Sequence, residues 1–194
     1  MSRRTLALAF LLSLLGCAAP LPPATWVRLP VQADVPRVPT PGADTWQLMA
    51  PVALPGHLDR DALLLPQGSA SLRALGQVRW AEPLRDAVPR LLRLDLSQAL
   101  GSTVWSAPLP PGLLPTRQLR VELLALDVGA DGRSVRLQAR YSVADTQGRT
   151  APRAGDIRLD VAAADSSVDA LVAAHRQAVA QLATQLAAQA TAAR

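Results

Sequence analysis

The sequence contains no lysine: all 20 basic residues in its 194 are arginine. This excludes a phosphate-loop lysine, a Schiff-base lysine and a lysine general base together. Glutamate is nearly as scarce, with only Glu82 and Glu122, and the 13 aspartates are scattered singly. The chain therefore has no pair of glutamates for acid–base work. Cys17 is the only cysteine, so the chain cannot close a disulfide on itself, and the two histidines, His57 and His175, are far apart. There is no G-x-S-x-G elbow. Aromatic residues make up 3% of the chain. The net charge of +5 falls to +3 without Arg3 and Arg4. That balance forms no basic patch interleaved with aromatics and gives nucleic-acid binding no support. With no catalytic constellation, metal set or cofactor motif in the pattern, the expectation is a protein that is not an enzyme.

Long apolar runs are missing too. The longest, Leu6–Leu15, would span about 15 Å as a helix, roughly half a hydrocarbon core. Behind the positive Arg3-Arg4 it fits the core of an export signal rather than a membrane span. Leu14-Leu15-Gly16-Cys17 follows and resembles the lipobox of bacterial lipoproteins, in which the cysteine receives a diacylglycerol before cleavage. Residues 1–16 are then a signal peptide and Cys17 is the lipidated first residue of the mature chain. Stable anchoring needs more than one acyl chain, each buried methylene contributing about 0.8 kcal/mol. The plainer alternative is an ordinary cleavage site followed by an exported thiol. Ala18, where inner-membrane retention would use aspartate, favours the outer membrane by resemblance to enterobacterial sorting.

Proline is what the next stretch has in excess. Between Pro20 and Pro41 seven prolines rule out helix and favour extended geometry, so residues 17–44 read as a tether. Residues 26–29, Trp-Val-Arg-Leu, alternate like a short edge strand within it. Leu48, Ala50, Val52 and Leu54 then recur at period two, a half-buried strand ended by Pro55-Gly56. His57, Asp59 and Asp61 share a short turn, but one imidazole and two carboxylates there match a solvated turn better than a metal site.

The chain is organised around residues 79–101. Leu84, Val88, Leu91, Leu92, Leu96, Ala99 and Leu100 form one helical stripe, with Pro83 at its start and Gly101 at its stop. Pro89 lies inside, where a kink is expected. Beyond it, Leu119–Ala125, Val135–Val143 and Ile157–Val161 alternate apolar with polar, separated by Asp131-Gly132 and Gln147-Gly148 turns. These predict an antiparallel meander with arginines on a solvated face. Asp165-Ser166-Ser167 offers caps for a closing helix bearing Leu171, Val172, His175, Val179, Leu182 and Leu186. Its tail, residues 187–194, is expected to fray. The fold class is α+β: a mainly antiparallel sheet with two principal helices packed on it.

Leu54-Pro55, Leu58-Asp59-Arg60 and the run Arg79-Trp80-Ala81-Glu82-Pro83-Leu84 carry a resemblance. So do the strand pair around Asp131-Gly132 and the helix with Val172-Ala173-Ala174-His175. Together with the lipobox, this order resembles the PqiC-like family of ABC-type transport auxiliary lipoproteins. The resemblance implies an auxiliary domain over 45–190. It further implies a non-catalytic lipoprotein at the periplasmic face of the outer membrane, partnering an MCE-domain lipid transport protein, supporting envelope integrity and plausible as a homo-oligomeric ring. The alternative is a structural or assembly lipoprotein unconnected with MCE proteins. Arg79, Trp80 and Glu82 are the candidate partner surface; the competing reading packs Trp80 under the helix as core.

Overall fold

The computed structural model describes residues 22–39 and 44–192; Cys17 and its lipobox lie outside them. The described residues form two sheets and two long helices, with a short 3-10 helix at Gly56–Leu58. Strands β1 (Thr25–Val27), β3 (Ala62–Pro66) and β4 (Leu72–Trp80) form a small sheet in the order β1-β4-β3. Strands β2 (Trp46–Leu48), β5 (Val104–Trp105), β6 (Arg117–Val128), β7 (Ser134–Asp145) and β8 (Arg153–Ala162) form a larger one, ordered β5-β2-β6-β7-β8. Helix α1 spans Leu84–Leu100 and helix α2 spans Val168–Thr191.

The meander is the part local pattern specifies best. β6, β7 and β8 pair antiparallel over long registers, and Val135, Leu137, Ala139, Tyr141 and Val143 all turn inward. On the outer face Arg140 lies opposite Asp156 at 3.3 Å and Arg136 opposite Asp160 at 3.9 Å. Gly132, at φ 65°, takes the left-handed place in the β6–β7 turn. There the Asp131 carboxylate accepts from the Arg133 amide and the Ser134 hydroxyl, which together hold it below the usual carboxylate range.

The sheet is nevertheless mixed. β2 runs parallel to both its neighbours, β5 and β6, and β1 runs parallel to β4. The strand expected over residues 45–54 ends at Leu48. Pro51 has no N–H to give a ladder, and pairing resumes only as a single bridge from Ala53 to Glu122. β6 carries a bulge between Leu123 and Ala125. The extra residue shifts the alternation by one, so Leu126 and Val128 continue the core in place of Ala125, and Asp127 is turned outward.

Helix α1 begins after Pro83, passes through Pro89 and stops at Gly101, whose φ of 64° is the left-handed cap. Val88, Leu91, Leu92 and Leu96 are fully buried. Helix α2 starts at Ser167, whose hydroxyl accepts from the Ala170 amide at 3.2 Å. The expected fraying from residue 187 does not occur. The helix continues to Thr191 with Ala187 and Ala190 buried, because alanine favours helix and a small side chain lets the backbone lie close to its neighbours. The core lies where α1 and α2 meet each other and the inner face of the meander.

Residues 22–39 also depart from the expected tether. β1 adds to the edge of β4 at residues 25–27, Leu29 and Val35 are buried, and the Val38 amide donates to the Ala99 carbonyl at 2.8 Å. Proline density prevents helix, but it leaves alternate apolar side chains free to dock.

Candidate functional site

The Arg79-Trp80-Glu82 run divides between two environments because a strand alternates. In β4, Trp80 points inward and is 4% exposed; its ring meets His175 edge-on at 5.5 Å between centroids. Its ring is therefore packed in the interior and not exposed on the surface. Arg79 points the other way, donating to the Val78 carbonyl at 2.9 Å and lying 3.6 Å from Asp61. Glu82, just before α1, accepts from Arg90 at 2.6 Å.

The exposed aromatic of this face is one the motif did not indicate. Register pairs Trp26 of β1 with Arg79 of β4, placing both on the outer side of the small sheet, and Trp26 is 61% exposed. The signal available in the sequence was the strand-like alternation of residues 26–29. What it lacked was the neighbour, since a parallel pairing across more than 50 residues leaves no local trace.

His57, Asp59 and Asp61 do not converge. The His57 ring pairs with Asp127, Nε2 to Oδ1 at 2.6 Å; Asp59 pairs with Arg85 of α1; Asp61 lies by Arg79. Among the described residues no group of three or more histidine, cysteine or acidic side chains has the arrangement of a metal centre. His175 is buried, and its Nδ1 donates to the Leu171 carbonyl at 2.7 Å. Burial lowers its pKa, opposed by that carbonyl and by the Asp127 charge.

A deeper feature lies beside α1. A groove of about 350 Å³ runs between the helix and the segment Met49–Val52, with Ser106 and Ala107 after β5 also in its lining. Arg85, Pro89, Arg90 and Arg93 recur at helical spacing along its α1 side. Arg90 in this lining is the partner of Glu82.

A family model described as "ABC-type transport auxiliary lipoprotein component" matches residues 28–187, from just past β1 into α2. A Xanthomonas campestris protein of family DUF330 is similar in fold, with TM-score 0.66 at 14% identity over 87% of this chain and 95% of that one. A crystal structure of an uncharacterized protein is similar at TM-score 0.65 and 18% identity, over 86% of this chain and 97% of that one. No curated protein matches the sequence.

Proposed function

Because this chain belongs to the family of ABC-type transport auxiliary lipoprotein components, whose model spans residues 28–187, we propose that it is a non-catalytic partner of an MCE-domain lipid transport protein. In this reading the acylated Cys17 holds it at the periplasmic face of the outer membrane, where it supports envelope integrity, and several copies assemble around the transport protein. The observation that carries the proposal is the family match over residues 28–187 combined with a lipobox at residues 14–17. The docked position of β1 adds a geometric consequence. Only seven residues, eight Cα–Cα steps, separate Cys17 from Thr25, a reach of at most about 29 Å. The domain would therefore lie close to its own leaflet, and the partner would have to come to it.

For the partner surface we propose Trp26, Arg79 and Glu82. Tryptophan and arginine are among the residues most enriched where binding energy concentrates in protein interfaces. The test is affinity purification of the full chain, lipid intact, from solubilised membranes. An MCE-domain protein is expected with the wild type. Trp26→Ala with Arg79→Ala is expected to lower the captured amount at least about tenfold at unchanged stability. Cys17→Ser is expected to yield an unprocessed or soluble chain. Recovery of Cys17→Ser in the membrane at mature size would contradict the anchor. Capture of a barrel-assembly or wall-synthesis protein instead would favour the assembly role.

A further inference from the structure

The groove beside α1 has a chemistry that docking leaves unused. Leu48 and Val52, both buried, form its floor, and Met49, Pro51, Pro89 and Ala107 line its sides. Its volume of about 350 Å³ falls within the range of small-molecule sites, about 300–1,000 Å³. Part of the wall has no amide to offer a polypeptide backbone. Pro51 and Pro89 carry no N–H, and the Met49 amide already donates to the Leu119 carbonyl at 2.8 Å. Ser106 supplies the only uncharged polar side chain of the lining. An alkyl chain has no amides or carbonyls to satisfy against Leu48, Val52 and the prolines, whereas a peptide laid here would have to find partners for its own.

The charges along the helix side indicate what the other end of such a ligand carries. Arg85 pairs with Asp59 and Arg90 with Glu82. Arg93, one turn beyond Pro89 and half-buried, has no carboxylate partner among the described residues. An unpaired guanidinium at the side of an apolar slot presents a planar fork to a carboxylate or phosphate. We infer that the groove binds a single-chain anionic amphiphile, its alkyl tail against Leu48, Val52 and the two prolines and its acidic head on Arg93. The inference does not depend on the transport partner. A chain that captured no MCE protein would still take this ligand, so the two readings fail separately.

The test uses isolated membranes carrying the full chain and three diazirine-bearing probes: palmitic acid, the matching lysophosphatidate and the matching fatty alcohol. Photocrosslinks are mapped by mass spectrometry. Both acidic probes are expected on residues 49–52 and 85–93, and the alcohol is not. Arg93→Gln is expected to reduce labelling at least about tenfold, the loss of one charge-assisted contact, while Arg93→Lys, which keeps the charge and loses the fork, falls between wild type and Arg93→Gln. Among the described residues no ion pair holds Arg93, so both variants are expected to unfold at the wild-type denaturant midpoint, and a shifted midpoint would itself contradict the unpaired assignment. Absence of wild-type labelling in these segments, equal labelling of Arg93→Gln, or equal labelling by the alcohol would overturn the inference. Displacement by inorganic phosphate as readily as by unlabelled palmitate would reduce the site to a bare anion site. Stronger protection by a polyglutamate peptide than by palmitate would assign the groove to an acidic polypeptide.

Discussion

His175 sits against the edge of Trp80 with its Nδ1 proton on the Leu171 carbonyl, and burial keeps its ring neutral. The charged group that faces it is Asp127, whose field opposes the shift without cancelling it. In the unfolded chain the same imidazole takes a proton near its ordinary value of 6.5. Below that pH the unfolded state binds more protons than the folded one, so stability falls as pH drops, until the folded state also protonates. The carboxyls of Asp131, Asp145 and Asp165 are held below their usual value of 3.8, so their contribution is lost only in stronger acid. The urea midpoint of the wild type is therefore expected to decline between about pH 6.5 and 5. In His175→Gln that slope should flatten, whatever the absolute stability. Equal slopes in the two proteins would show that His175 does not carry the dependence.

Between elements, one polar junction stands out. Arg176 of α2 meets Asp95 of α1 through two contacts of 2.6 Å, with both side chains 4% exposed. The same guanidinium donates to the Pro30 carbonyl at 2.7 Å and the Val31 carbonyl at 2.9 Å. It thereby ties two helices to the segment after β1. A buried charge stripped of its partner is expensive, whereas the intact pair contributes little beyond its geometry. Asp95→Ala is expected to cost about 3–5 kcal/mol in chemical denaturation, because Arg176 would remain buried and unmatched. A loss below about 1 kcal/mol, the size of an exposed pair, would mean that water reaches the junction.

At the scale of the molecule, the Pro-rich stretch after Pro22 is part of the fold. It supplies β1, the buried Leu29 and Val35, and both carbonyls that Arg176 holds. A chain begun at Thr45 is expected to lose cooperative unfolding or resist proteolysis poorly, whereas one begun at Pro22 should match the full-length domain. Equal stability in both would return residues 22–39 to the role of a tether. The same docking shortens the distance over which an anchor at Cys17 would let the domain move.

What the sequence determined by itself is what local period and turn chemistry specify. Both long helices, the three-strand meander, the Gly101 stop and the Ser167 start follow from spacing and from residues that suit caps and turns. The family resemblance was legible for a similar reason, since the Arg79-Trp80-Ala81-Glu82-Pro83-Leu84 run keeps its order within one stretch. Tertiary structure decided everything that joins distant residues. The parallel placement of β2 and β1, the bulge that turns Asp127 toward His57, the salt bridge beneath the N-terminal segment and the groove beside α1 leave no periodic mark. Each depends on which apolar faces find one another and on which charges must be matched once water is excluded. The candidate surface shows the division most plainly. The motif pointed to Trp80, but strand alternation buries that ring, and a pairing partner more than 50 residues away presents Trp26 in its place.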